Sequence, residues 1–258
     1  ISLGENKPAK SITFQELNQK VSSVQKGLVS LGVKKDTIVA GFVPNCVETV
    51  IIMLAVSSLG GIWTSCSPDF GAKGVVDRFG QVNPHILITS NGYSYNGKLF
   101  NLEEKVNGVL DEIDSIRHII EIEYIDLKSK FNHNSVISFS KLLDNEVANP
   151  KFEQLPFDHP LYIMYSSGTT GPPKSIIHGA GGTLIQHMKE HQLHCDVQRG
   201  KSKMFWFTTC GWMMWNWLIT VLASKASILL FDGSPMYKRN DLLLEIADKE
   251  KLTLLGVS

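Results

Sequence analysis

The sequence predicts an α/β fold of stacked βαβ subdomains with mostly parallel sheets. Three observations carry that expectation. Short apolar runs alternate with helical stripes along the whole chain, the pattern of strands joined by crossover helices. Turn residues such as Gly60-Gly61 and Asn83-Pro84 punctuate the alternation. The 258 residues are 43% hydrophobic, enough for a sizeable core.

The first predicted helix opens at Thr13, which has capping-box spacing to Glu16. Phe14, Leu17, Val21, Val24, Leu28 and Leu31 recur at three and four and form one apolar stripe. Gly32 closes this helix as its C′ residue. Residues 37–43 follow as a buried strand, 47–59 as an apolar helix and 62–65 as a short strand. A helix over 71–82 carries Val75, Val76, Phe79 and Val82, and 85–89 is the next strand. Residues 101–117 read as helix and 118–122 as strand. Residues 126–158 are the least regular part, with Asn149-Pro150 and Leu155-Pro156. They are expected to lead from a first subdomain, 1–155, to a second, 156–258.

In the second part, 161–165 and 175–178 read as strands around a polar loop. A glycine-rich hinge at 179–182 leads into a helix over 183–194. Strands are predicted at 204–209, 226–231 and 252–257, with helices at 212–223 and 241–249.

Charge is balanced, with 25 Lys and Arg against 25 Asp and Glu. That argues against nucleic acid as the main partner, since phosphate backbones call for a basic excess. Cys46, Cys66, Cys195 and Cys210 are scattered, with no C-x-x-C pair and no N-glycosylation sequon nearby. Both facts fit a reducing, cytosolic setting. The first residues, Ile1-Ser2-Leu3-Gly4-Glu5, lack the basic and apolar regions of a signal peptide. The chain starts without Met and stops in a strand-like run, so it is expected to be a piece of a longer protein.

The chemistry concentrates in Tyr165-Ser166-Ser167-Gly168-Thr169-Thr170-Gly171-Pro172-Pro173-Lys174. Glycines let backbone N–H groups converge on one anion, the hydroxyls add donors and Lys174 adds a full positive charge. That chemistry suits a polyphosphate. Counted from Gly168, Lys174 and Ser175 fall where a P-loop has its Lys and Ser/Thr, but Pro173 occupies the second glycine's place. Proline has no N–H to give, so it cannot build that nest. An ordinary polar surface loop is the bland alternative.

The stretch resembles the phosphate-binding signature of the adenylate-forming superfamily, which holds acyl-CoA synthetases, luciferases and peptide-synthetase adenylation domains. Every fixed position is met, and Ser175 stands where a glycine is usual. Ser67-Pro68-Asp69-Phe70-Gly71 with Asp77-Arg78, the run from His178-Gly179-Ala180-Gly181-Gly182, and Phe231-Asp232-Gly233-Ser234-Pro235 are similar to short-chain acyl-CoA synthetases.

The resemblance implies a ligase with ATP, Mg²⁺ and coenzyme A. It would join a small carboxylic acid to CoA through an acyl-adenylate. It implies acetoacetate as the acid, with acetate and propionate as alternatives. It assigns Ser166, Ser167, Gly168, Thr169, Thr170, Gly171 and Lys174 to the nucleotide, with Thr169 and Lys174 catalytic. Gly211-Trp212 matches the family's acyl-pocket segment, so Trp212, Met213, Met214 and Trp215 become the expected pocket wall. Lys98 lies where related enzymes approach the CoA nucleotide, though an exposed lysine in a turn explains it better. The family's adenine segment, ribose aspartate and C-terminal domain would follow Ser258. The chain is therefore expected to be an incomplete N-terminal domain, without that C-terminal domain and unable to complete turnover. A non-catalytic nucleotide- or CoA-binding module is the alternative.

Two other features compete. His187-Met188-Lys189-Glu190-His191 puts two imidazoles on one helical face, as a zinc peptidase needs, or simply marks a histidine-bearing helix. Residues 204–223 carry no charge, but Thr208-Thr209-Cys210-Gly211 interrupts them. A buried strand–loop–helix is expected there rather than a membrane span.

Overall fold

The computed structural model describes residues 1–5, 7–144, 149–166 and 171–257. Its elements run in order as β1 (Ser2–Gly4), β2 (Lys7–Lys10), α1 (Phe14–Ser30), β3 (Ile38–Phe42), α2 (Val47–Ser58), β4 (Ile62–Cys66), α3 (Ala72–Phe79) and β5 (Ile86–Ser90). A hairpin, β6 (Gly92–Tyr95) and β7 (Lys98–Asn101), precedes α4 (Glu103–Leu110), β8 (His118–Ile122), β9 (Val136–Ser138) and α5 (Phe139–Leu143). Then come β10 (Pro160–Tyr165), β11 (Ser175–Gly179) and α6 (Ala180–Lys189), which runs into a π-helical turn, Glu190–His194. β12 (Lys203–Trp206), α7 (Met213–Thr220), a 3-10 turn (Val221–Ser224), β13 (Ser227–Asp232), α8 (Leu242–Glu250) and β14 (Leu254–Gly256) complete the chain.

Two sheets carry the fold. One has seven strands in the order β11-β10-β4-β3-β5-β8-β9, parallel except for β11. The other has five, β14-β12-β13-β1-β2, parallel except for β2. The expected α/β class with mostly parallel sheets is met. Both sheets draw strands from either side of residue 155: β10 and β11 join the first, β1 and β2 the second.

Strand alternation divides the core. In β3, Ala40 and Phe42 pack with Val75 and Phe79 of α3 and Val106 and Val109 of α4. Val39 faces the opposite way, with Val24 and Leu28 of α1 and the apolar residues of α2. That second cluster continues into Met204, Ile228 and Leu230 of the five-stranded sheet, so α2 lies between the sheets. Its middle, Val50 to Val56, is wholly apolar, as a helix buried on most sides requires. Gly41 is required where it stands: a Cβ there would meet the Trp63 ring at 2.6 Å.

The capping box of α1 forms in both directions between Thr13 and Glu16, and Gly32 ends the helix at φ 85°. Two expectations fail locally. The helix predicted over 101–117 covers only α4, and the β6–β7 hairpin before it was not anticipated. Its turn is Asn96-Gly97, both at positive φ (49° and 77°), the pairing a tight hairpin demands. β1 and β2 also went unpredicted: β1 becomes a strand by pairing with β13, far away in sequence, and β2 pairs only with β1.

Candidate active site

The polar loop is the connection of an antiparallel hairpin. β10 pairs with β11 in a register that sets Tyr162 opposite His178 and Tyr165 opposite Ser175. Tyr162 and Ile163 are buried, which anchors β10 beside β4. The Thr64 hydroxyl donates to the Ile163 carbonyl at 2.9 Å and contacts the Tyr165 hydroxyl at 3.0 Å. Burial pushes the Tyr165 phenol up. The Arg78 guanidinium lies over the Phe70 ring at 4.7 Å and the Tyr165 ring at 6.0 Å.

At the mouth, the Ser166 N–H donates to the Lys174 carbonyl at 3.0 Å, and the Lys174 N–H donates to Ser166 Oγ at 2.9 Å. This reciprocal pair closes the base of the loop. The Ser166 hydroxyl keeps its own proton to offer. Lys174 is exposed, and its ammonium has no partner among the described residues. Gly171 is also exposed, with nothing within 4 Å of a notional Cβ. Ser167, Gly168, Thr169 and Thr170 lie outside the described residues. An exposed ammonium with no partner among the described residues, on a backbone pinned by Ser166, fits an incoming phosphate.

The second part of the site is the start of α7. Trp212 and Met213 are exposed, Met214 is half-buried and Trp215 is fully buried. The Trp215 indole donates to Asn45 Oδ1 at 2.9 Å. The four residues expected as one wall therefore divide: Trp212 and Met213 reach the surface, while Trp215 is spent on the core. The reason is local geometry: Trp212 is the extended N-cap residue of α7, and Met213, Met214 and Trp215 follow at about 100° steps around the helix.

Met213 also borders a cavity of about 520 Å³ whose other walls include Ile177, His178, Thr183, His187 and Glu190. Within it the tautomer of His187 is set by its neighbour. Thr220 Oγ1 gives its proton to the Asn216 carbonyl at 2.8 Å, so His187 Nδ1 must donate to Thr220 at 3.0 Å. Burial holds both His178 and His187 below the usual imidazole range.

The histidine pattern builds no metal centre among the described residues. Glu190 is occupied, accepting from the Trp217 indole at 2.8 Å and from Gln186 at 2.6 Å. His191 is fully buried, edge-on to Trp217 with ring centroids 4.4 Å apart. The uncharged stretch 204–223 forms β12, a loop, α7 and a 3-10 turn, and among the described residues no helix is long and apolar enough to cross a membrane. Lys98 is exposed at the start of β7.

Three residues beside the site escaped the sequence reading. Asn45 holds Trp215. Asp232, whose carboxyl burial pushes up to about 6, accepts from the Asn45 N–H at 3.1 Å. Gln81 reaches the loop's closing arm. Asp232 lay inside a quoted motif; nothing local marked Asn45 or Gln81.

The family model described as AMP-binding enzyme matches residues 4–258. Acetoacetyl-coenzyme A synthetase of Rhizobium meliloti is 43% identical over 256 residues, covering 99% of this chain and 39% of its own length. A malonamoyl-CoA synthetase of Penicillium aethiopicum is 38% identical, with 100% of this chain and 38% of that protein covered. The solved acetoacetyl-CoA synthetase from Streptomyces lividans superposes with a TM-score of 0.94 at 40% identity, over all of this chain and 39% of that one. The chain thus spans about two fifths of the length of the relatives it matches.

Proposed function

Because the chain belongs to the AMP-binding enzyme family, we propose that it is part of an ATP-dependent acid–thiol ligase that activates acetoacetate and transfers it to coenzyme A. The observation that carries this is the β10–β11 connection. Its signature residues end in a lysine whose backbone is fixed by Ser166 and whose ammonium is open to a ligand. The choice of acid rests on the named relatives at 43% identity.

In the first step an acid oxygen attacks the α-phosphorus of ATP. A P–O bond forms, the α–β phosphoanhydride breaks and pyrophosphate leaves. Charge builds on that leaving group, and Lys174 with the Ser166 hydroxyl would stabilise it electrostatically. Ser167, Gly168, Thr169, Thr170 and Gly171 are proposed to complete the cradle. Mg²⁺ would add neutralising charge on the phosphates when bound. In the second step the CoA thiol attacks the acyl carbon. A C–S bond forms, the C–O bond to AMP breaks and the thiol proton is lost.

Met213 is proposed to face the acid, since it borders the 520 Å³ cavity at the start of α7. All four cysteines are free, which fits the reducing cytosol we take as its setting. The chain alone, at two fifths of its relatives' length, is proposed to bind phosphate without completing turnover.

Pyrophosphate release from ATP tests the reading, with acetoacetate, acetate, propionate and butyrate in parallel on the full-length protein and on this chain. Release selective for acetoacetate by the full-length protein supports it. No release with any acid overturns it.

A further inference from the structure

Gln81 stands just past the end of α3, and its carboxamide is fully used. Nε2 donates to the Asp77 carbonyl at 2.6 Å, within its own helix, and to the Pro173 carbonyl at 2.6 Å. Oε1 accepts from the Ser175 N–H at 3.3 Å. Two of the three bonds therefore cross more than ninety residues to the loop's closing arm, and they land on the two residues that flank Lys174.

The anchor behind Gln81 is stiff. Val75 and Phe79 of α3 are completely buried. Arg78 donates back to the Gly74 carbonyl at 2.8 Å while its guanidinium covers Phe70. The turn after α3 closes through Gln81 N–H to the Arg78 carbonyl at 3.1 Å and Val82 N–H to the Phe79 carbonyl at 3.1 Å. Gln81 itself is exposed, so it contributes nothing to the core.

Lys174 is thus gripped from two sides. Ser166 holds its N–H and its carbonyl, and Gln81 holds the carbonyl before it and the N–H after it. The side chain alone, exposed and without a partner among the described residues, is left to meet a ligand. A backbone already ordered before binding spares the ligand the entropy of ordering it. We propose that Gln81 is a positioning residue for the phosphate site, tethering the segment that carries Lys174 to α3 so that the ammonium is pre-set against the nucleotide's phosphates. This rests on the phosphate-binding reading of the β10–β11 connection and adds a residue outside its signature.

The test uses the full-length protein with Gln81→Ala and Gln81→Glu. Gln81→Glu keeps an acceptor for the Ser175 N–H and loses the donor to Pro173. Losing the bonds to the arm should raise the KM for MgATP roughly tenfold in Gln81→Ala, with Gln81→Glu falling between it and wild type. The KM for the acid should stay within about twofold of wild type, and the melting temperature should not move, as expected of an exposed side chain. Amide hydrogen exchange at Lys174 and Ser175 should speed up in Gln81→Ala.

An unchanged KM for MgATP in Gln81→Ala overturns the proposal. So does a fall in melting temperature with equal losses for ATP and acid, which marks a merely structural residue. Wild-type protein that releases no pyrophosphate with any acid overturns the proposed function instead. In that case amide exchange still decides the tether: unchanged exchange in Gln81→Ala removes it.

Discussion

The indole N–H of Trp215 donates to Oδ1 of Asn45 at 2.9 Å, across 170 positions of sequence. Asn45 lies in the turn after β3, at one end of the seven-stranded sheet. Its Nδ2 donates to the carbonyls of Thr208 and Phe231, at 3.2 and 3.3 Å, on the five-stranded side. One buried carboxamide therefore joins the two sheets and orients the first turn of α7.

Asn45→Ala should destabilise the protein by about 2–4 kcal/mol, because it orphans a buried indole N–H and two buried carbonyls at once. Urea denaturation measures this. In the Asn45→Ala background, Trp215→Phe should cost less than it does alone, since the indole donor has already lost its acceptor.

Met213 and Trp215 should respond differently to truncation. Met213→Ala enlarges a surface that borders the cavity, so pyrophosphate release should extend to longer acids. Trp215→Gly should instead cost about 3–5 kcal/mol of stability as a core deletion and leave acid preference unchanged. A chain-length series run beside thermal melts separates the two.

Lys174→Met should lower ATP-dependent pyrophosphate release by roughly 10²–10³-fold, the usual loss for one group aimed at developing charge. Its ammonium has no partner among the described residues, so the melting temperature should stay at the wild-type value. A variant with wild-type release rates would remove Lys174 from the mechanism.

Asp232 should give stability an unusual pH dependence. Burial raises its carboxyl from 3.8 to about 6 in the fold. Below the unfolded value both states hold the proton and nothing is lost. As pH rises through the folded value, the native state must bury a carboxylate, and about 3 kcal/mol of stability disappears. His191 opposes it: burial lowers its imidazole from 6.5 to about 4, so its contribution is present above 6.5 and is lost as pH falls toward 4. Denaturation between pH 4 and 6.5 should therefore show Asp232→Asn more stabilised, relative to wild type, at the upper end. His191→Phe should be more stabilised, relative to wild type, at the lower end. Parallel profiles for all three proteins would refute both assignments.

Much of the fold is legible in the sequence. The α1 stripe, its Thr13–Glu16 box and its Gly32 stop are local signals, and they formed as read. So did the alternation from β3 to β5 and the strands flanking the polar loop. The turn at Asn96-Gly97 was legible from its dipeptide, but not the pairing of β6 with β7 on either side of it. In the candidate site, Ser166 and Lys174 stand at the mouth of the loop where the motif put them.

What the sequence determined by itself was local: which segments become strands or helices, where they cap and turn, and which loop is the candidate for phosphate chemistry. Those properties depend on side chains within a turn or two of one another. Only the tertiary structure decided that Trp212 faces out while Trp215 faces Asn45, that β1 pairs with β13, and that Gln81 reaches past Lys174 on both sides. The bond from Trp215 to Asn45, the β1–β13 pairing and the Gln81 bonds each join segments ninety or more residues apart, made because packing brings their backbones together. No spacing along the chain encodes such a meeting.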